Sequence, residues 1–495
     1  MRTLDDTTPL NGDRIDVAAR IGWTVRMGRI TARNAGDTRL QSIAAQLGSS
    51  AAHLSRVETG QRRDSLITKR YEELLGVPDG ALLAPISTLC RAFPESAPRD
   101  SGRLSGVSDV RTHSALTERL LDPTAEVAGG DWLVWARTLS VEGNIGLPAS
   151  LFETITRRLA SELGRSVLSA RAPRHEALAL LRRSHYGELV LDLTREAGAG
   201  KESHRLGALA SVVGAARDQE AFKWAVQALS SEATARHGAM AVEVMGQNAP
   251  ADFWDDLVTP LLRAFDTSAA GSEQERWSAH LVRLVPPTAW RRSGATPARA
   301  LPPGPTVPDW SRTSENPLWT WCRQQSDEIA ATWNLPSQPL LARLIFEIAF
   351  GPWEVRALYS DMLLSGLPEL REPVATGVAA FVEQNPHSPV HPRTLTRLGG
   401  LLHGYRVDGY PHWLTSEDSE LRNTALALAG GAGEQLDEEL LLTALRDPAT
   451  TRFAQYAAGM AAHPALAALA AHPDLDQETR TALAAWQASG GRITR

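Results

Sequence analysis

The sequence predicts an all-α protein, and four observations predict it. Apolar residues recur at helical spacing through most of the 495-residue chain, as in 151–163 (LFETITRRLASEL), 175–197 and 218–232. No run alternates apolar and polar residues as a half-buried strand would. Two short apolar-faced segments between 40 and 60 are joined by a glycine. In the last third, Asp418, Asp447 and Asp476 stand 29 residues apart, each followed by an arginine and an alanine-rich segment.

Residues 40–63 read LQSIAAQLGSSAAHLSRVETGQRR. Leu40, Ile43, Ala44 and Leu47 fall at i, i+3, i+4, i+7, the apolar face of a short helix. Gly48 supplies a residue free to turn at positive φ. Ser49 or Ser50 is placed to cap a second helix, whose inner face is Leu54 and Val57 and which Gly60 ends. This is the spacing of a helix-turn-helix, a motif whose second helix enters the major groove of DNA. Residues 64–76 (DSLITKRYEELLG) form a further amphipathic helix with Ile67, Tyr71, Leu74 and Leu75 inward. Val77, Pro78 and the run to Leu83 follow it, and are similar to the last helix of the family named next.

On these residues, roughly 14–86, the chain resembles the XRE family, the helix-turn-helix domains of Cro and lambda-repressor type. The small Ala44, Gly48 four residues later, apolar Leu54 and Val57, and Ser55, Glu58 and Gly60 closing the second helix match its pattern. The resemblance implies a five-helix DNA-binding domain and roles by position. Ser50, Ala51, Ala52 and His53 face base edges, and Arg56, one turn on, reaches a base or a phosphate. Ala51 and Ala52 have no donors, so direct readout rests on Ser50, His53 and Arg56. Arg39, Gln61, Arg62 and Arg63 contact phosphates, and Glu58 orders neighbouring polar groups.

Charge points the same way. Residues 14–70 hold eleven basic residues against four acidic ones, a net +7; the whole chain carries −6, so the remainder carries −13. A basic module on an acidic body suits contact with a phosphate backbone at one end.

The segment 91–112 reads as a linker, rich in Pro, Ser, Gly and Arg, after a DNA-binding domain over 1–90. Seven prolines between 286 and 308 break the helical pattern again. The stretch 286–310 is thus either a semi-rigid hinge or an ordered strap, between helical regions 113–285 and 311–495. In the latter, DSELRNTALALAGG, DPATTRFAQYAAGM and DQETRTALAAWQ place Arg422 and Arg480 four residues after their aspartate and Arg452 five after. These segments resemble the short HEAT-like repeat, which implies an α-solenoid: an aspartate at each helix start and units that bury their faces by stacking. The middle region shows no period of its own.

Eight of the fourteen tryptophans fall between Trp254 and Trp353. They line a pocket or, the favoured reading, fill a junction between helical layers. Trp319 and Trp321 cannot share one helix face, so one is exposed or that segment is extended. Two cysteines exclude a disulfide framework. The N-terminal residues lack the apolar core of a signal peptide, and no apolar run is long enough for a membrane span. His387, His391, His403 and His412 cluster in sequence, but Pro386, Pro389 and Pro392 interrupt the first pair, which does not form an i, i+4 ligand pair on a helix. The stretch 197–203 (AGAGKES) lacks the first glycine and final Ser/Thr of a phosphate loop.

The expectation is a bacterial, cytoplasmic, nucleoid-associated transcriptional regulator, not an enzyme, with no cofactor and no metal. It would bind double-stranded DNA at a pseudo-palindromic operator as a homodimer. The helical body would dimerise or take a peptide, protein or small-molecule effector. The alternative is a helical-repeat protein- or peptide-binding scaffold with only weak DNA tethering.

Overall fold

A computed structural model describes residues 3–32, 37–102, 104, 110–140, 146–199, 203–302, 309–407 and 409–494. Its described residues are helical throughout, with no strand and only two isolated bridges. Five helices come first: α1 (Val17–Ile30), α2 (Leu40–Gln46), α3 (Ala51–Val57), α4 (Ser65–Leu75) and α5 (Leu83–Ala92). The middle region holds α6 (Val110–Leu121), α7 (Gly129–Ser140), α8 (Ala149–Arg165), α9 (Arg171–Arg182), α10 (Gly187–Ala199) and α11 (Ser203–Val213). It continues with α12 (Gln219–Leu229), α13 (Ala235–Gly246), α14 (Ala251–Asp266), α15 (Glu273–Leu284) and α16 (Pro287–Ser293). Then come α17 (Pro317–Thr332), α18 (Pro339–Ala349), α19 (Glu354–Ser365), α20 (Pro368–Gln384), α21 (His391–Gly400) and α22 (Tyr410–Trp413). The last are α23 (Ser419–Ala432), α24 (Glu438–Arg446), α25 (Thr451–Met460), α26 (Leu466–Ala470) and α27 (Gln477–Ser489).

The middle region, which shows no sequence period, nonetheless stacks. Helix α7 packs on α9, α9 on α11, α11 on α13 and α13 on α15, while α8 packs on α10 and α12 on α14 to give a second row. Helices α21, α23, α25 and α27 form a similar row. Asp418 and Asp476 each cap a helix, accepting the N–H of Glu420 and of Thr479. Asp447 departs from the expected role: Thr450, not Asp447, precedes α25. The four-residue turn after α24 leaves the Asp447 carboxylate to accept from Arg422 Nη2, 2.8 Å away in the preceding unit.

Helix α19 lies where these rows meet, and every one of its residues is buried. It packs on α5, α9, α13, α18 and α20. Two of its three charges are paired, Glu354 with Arg397 at 2.8 Å and Asp361 with Arg371 at 2.8 Å; the third, Arg356, is 2% exposed, with its Nε donating to Gln247 Oε1 at 3.4 Å. Burial would raise the Glu354 carboxyl, but Arg397 and Arg393 hold it down, at about 2.

The five N-terminal helices share one continuous apolar core with this body, reaching from Leu4 to Ala429. Arg20 on α1 is 1% exposed and joins them. Its Nη1 and Nη2 donate to the two Glu347 oxygens at 2.7 Å, and its Nε donates to Asp6 at 2.8 Å. Burial alone would raise the Glu347 carboxyl; Arg20 and Arg343 beside it hold it well below the usual carboxylate range.

Two boundaries differ from the sequence reading, and a third takes one of the two forms it allowed. The fifth helix begins at Leu83, where it was expected to end, because buried Glu72 accepts the N–H groups of Gly80, Leu82 and Leu83 and folds 77–82 into a turn. The expected linker is only partly one: α5 runs to Ala92 and residues 100–102 lie against the start of α4, with Leu66 N–H donating to Gly102. Residues 103 and 105–109 lie outside the described residues. The proline-rich 286–310 forms α16 and then a strap along one arm. Arg299 there pairs with Glu275 at 2.5 Å and donates to the Phe265 carbonyl; residues 303–308 are outside the described residues. The tryptophans fill junctions. PLWTW is helical, and both its faces are covered, Trp319 against Phe346 and Trp321 against Phe350 and Phe381. Among the described residues no helix is long and apolar enough to cross a membrane, and no His/Cys/Asp/Glu group is arranged to hold a metal.

Candidate nucleic-acid interface

Helices α2 and α3 are short because their sequences stop them. Gly48 takes φ +60° between them, and a Cβ there would meet nothing, so the turn needs conformational freedom rather than space. Ser50 precedes α3 in extended conformation, and its hydroxyl accepts the His53 N–H at 3.1 Å. Leu54 and Val57 point inward at 0% and 1% exposure. Helix α3 is then fixed to α1 by a backbone-to-backbone approach. A Cβ on Gly60 would lie 1.9 Å from the Ala18 carbonyl oxygen, and one on Gly22 would lie 2.3 Å from Gly60 N. Glu58, just after α3, is 3% exposed and accepts both Nε and Nη2 of Arg29, at 2.6 and 2.7 Å, and the Tyr71 hydroxyl at 2.8 Å. It orders the polar groups beneath the helix rather than facing outward.

What remains outside is a surface of small and polar residues. Gln41, Ala45 and Gln46 of α2, Ser55 and Arg56 of α3, and Ser50, Ala52 and Gln61 are exposed. Ala51 is half-buried against the core. Arg56 lies along its own helix, Nε donating to the Ala52 carbonyl at 3.3 Å, with no carboxylate partner among the described residues. Arg39 stands at the start of α2 with its side chain 87% exposed, 3.9 Å from Asp37.

Three expected contact residues are engaged within the protein. His53 is half-buried, its Nε2 3.1 Å from an Asp64 oxygen; the other Asp64 oxygen caps α4 through the Ile67 N–H. Arg62 Nε donates to the Ser101 hydroxyl at 2.7 Å, and Arg63 lies 3.6 Å from the Asp100 carboxylate. Asp100 and Ser101 belong to the stretch read as linker, where aperiodic sequence gave no sign that they double back; the Asp-Ser-Gly turn at 100–102 is the one local cue. Exposed Arg99 in that stretch and Arg70 on α4, which reaches the Leu47 carbonyl at 3.4 Å, are cations that the family pattern did not supply.

The charge argument also changes. Of the eleven cations between 14 and 70, Arg20, Arg26 and Arg29 are buried, and Arg33 lies outside the described residues. The outward excess is therefore smaller than the sequence count. It rests on Arg14, Arg39, Arg56, Arg62, Lys69 and Arg70, with Arg63 held by Asp100.

The chain matches no protein-family model, and neither a curated protein nor a solved structure is detectably similar to it.

Proposed function

We propose that the chain is a DNA-binding transcriptional regulator whose α3 enters the major groove. The observation that carries this reading is the exposed α2–α3 surface. A helix whose outward residues are Ser50 and Ala52 at its N-terminal end and Ser55 and Arg56 in its last turn has no outward acidic side chain to repel a groove floor. The acidic groups beside it are engaged within the protein: Glu58 on Arg29, and Asp64 on His53 and the start of α4. In this reading Arg56 and Ser50 read bases. Ala52 lets the helix sit deep, Arg39 and Gln61 contact phosphates, and Arg62 contributes charge from its place beside Ser101. His53 acts indirectly, by fixing the α3–α4 angle through Asp64. One such surface reads few bases, so tight specificity calls for a dimer on two half-sites about one turn apart.

The test is selection of sheared genomic DNA on the purified chain, with Arg56→Ala in parallel. A few sharp peaks sharing an inverted repeat, lost in the variant, are expected. Diffuse, salt-sensitive retention that is identical in both would overturn the reading and favour a scaffold whose ligand lies on the helical body.

A further inference from the structure

Four buried arginines beside α18 and α19 each meet a carboxylate at 2.7–2.9 Å: Arg20, Arg343, Arg371 and Arg397. Arg356 on α19, 2% exposed, meets none among the described residues. Its Nε reaches Gln247 Oε1 at 3.4 Å, long for such a bond. Its Nη1 and Nη2 are both buried and have no hydrogen-bond partner among the described residues. A guanidinium carries only donors and does not give up its proton to relieve them, so two N–H pairs are left over in the interior.

Gln247 adds to the surplus. It stands at the end of α13, 1% exposed, and its Nε2 is likewise buried without a partner. The contact between the two side chains thus brings several donors to one closed place that offers them no acceptor. Trp353 lies beside them, its ring centre 5.8 Å from the Arg356 guanidinium, and its buried Nε1 has no partner either. Buried polar groups are nearly always bonded, and a cluster that is not calls for a bound group.

Charge shows the same deficit. The acids that attract Arg356 are Glu347 and Asp6, and both are spent. Asp6 accepts from Arg20 and Thr8; Glu347 accepts from Arg20, Arg343 and Ser360, which stands one turn beyond Arg356 on α19. Three cations there face two carboxylates, and all five are at most 2% exposed. Glu243, one turn before Gln247, gives its oxygens to His280 and to the Val355 N–H. Burial pushes the Arg356 guanidinium down to about 10; Glu347 opposes this, while Arg20 and Arg343 add to it, so it remains a cation at neutral pH. An unpaired buried cation is costly. A water would meet its N–H groups but supply no charge.

We propose that Arg356 and the Gln247 amide enclose a small monovalent anion of the halide class, chloride. Both side chains are closed to solvent, so what joins them is compact, and one negative charge completes the balance. A cavity of about 400 Å³ between α12 and α14, lined by Arg217, Phe222, Met245 and Phe253, gives the way in. Arg217 touches both places, since it lines this cavity and its Nη2 donates to the Gln247 carbonyl. Held there, the anion would tie α13 to α19 beside the Arg20–Glu347 pair that joins the N-terminal module to the body. The binding does not depend on whether the α2–α3 surface engages DNA.

The test is thermal melting of the full chain in sodium chloride and in sodium gluconate at matched ionic strength, gluconate being too bulky to be enclosed. Expected is a Tm that climbs with chloride and levels off as one site fills, is reproduced by bromide and does not climb with gluconate. Arg356→Met removes the charge and should lose that response. Gln247→Glu sets a fixed carboxylate beside the guanidinium. It should melt in gluconate no lower than the parent and no longer respond to chloride. If Arg356→Met fails to fold, Gln247→Glu carries the comparison. In crystals of the parent grown in bromide, an anomalous peak is expected against the Arg356 guanidinium. Equal Tm in chloride and gluconate would overturn the proposal. So would an undiminished chloride response in Gln247→Glu, which would assign the effect to surface cations. Bromide found only elsewhere, with water or nothing at Arg356, would do the same.

Discussion

Arginine meets opposite fates on the two sides of the N-terminal module. On the outward side, Arg56 and Arg39 are exposed, and neither is fixed by a close ion pair. On the inward side, Arg20 is 1% exposed and clamped between Asp6 and Glu347, while Arg29 is clamped by Glu58. The same residue type leaves charge exposed on one side and ties the module to the body on the other. A local excess of arginine therefore measures two things at once, and only the fold separates them.

The largest expected effect tests the inward side. Arg20→Ala leaves Glu347 and Asp6 buried with one cation fewer, and breaking such a pair costs about 3–5 kcal/mol. Chemical denaturation should show that loss; a change below about 1 kcal/mol would mean that the clamp contributes little.

Two buried carboxyls sharpen the contrast through pH, with opposite signs. Burial pushes the Glu72 carboxyl up to about 7, against the three N–H groups that favour its ionised form. Its folded value exceeds the ordinary one of 4.5, so its contribution to stability is full below that value and is lost as pH rises towards 7. Glu354, at about 2, contributes stability above 4.5 that is lost as pH falls towards 2. Denaturation midpoints from pH 4.5 to 7 should decline less in Glu72→Gln than in the parent. An identical decline would assign the loss to other groups.

On the outward side, Arg56→Ala should weaken binding to a selected site by about 1–3 kcal/mol and leave the melting curve unchanged. Unaltered affinity would remove Arg56 from base readout. Ser50→Ala removes the α3 cap and should cost about 1 kcal/mol of stability, read as a lower denaturation midpoint. The smallest effect is expected for Arg62→Gln: a salt slope shallower by about one and weaker binding to every sequence alike. A sequence-selective loss there would move Arg62 from the phosphate backbone to the bases.

Much of this arrangement was legible locally. The turn at Gly48, the cap at Ser50, the inward Leu54, Val57 and Tyr71, and the caps at Asp418 and Asp476 follow from rules that span a few residues. What was not legible depends on partners far along the chain. Nothing near Arg20 announces Glu347, and nothing near Arg62 announces Ser101. The middle rows escaped for a related reason. Stacking requires complementary apolar faces, not equal spacing, so α7, α9, α11, α13 and α15 pack in succession without a sequence period. For the candidate interface, the sequence named the exposed surface but could not show that His53 turns to Asp64 or that Arg63 is held by Asp100.

The Arg20–Glu347 pair has a further consequence in time. Its partners are separated by 327 positions. At the usual pace of ribosomal synthesis, roughly 5–20 residues per second, Arg20 emerges tens of seconds before Glu347 exists. Through that interval α1 has Asp6 and, soon after, α3, α4 and α5 to pack on, but not the second carboxylate. The first hundred residues thus leave the ribosome with Arg20 one carboxylate short, and this clamp closes only after residue 347 has been made.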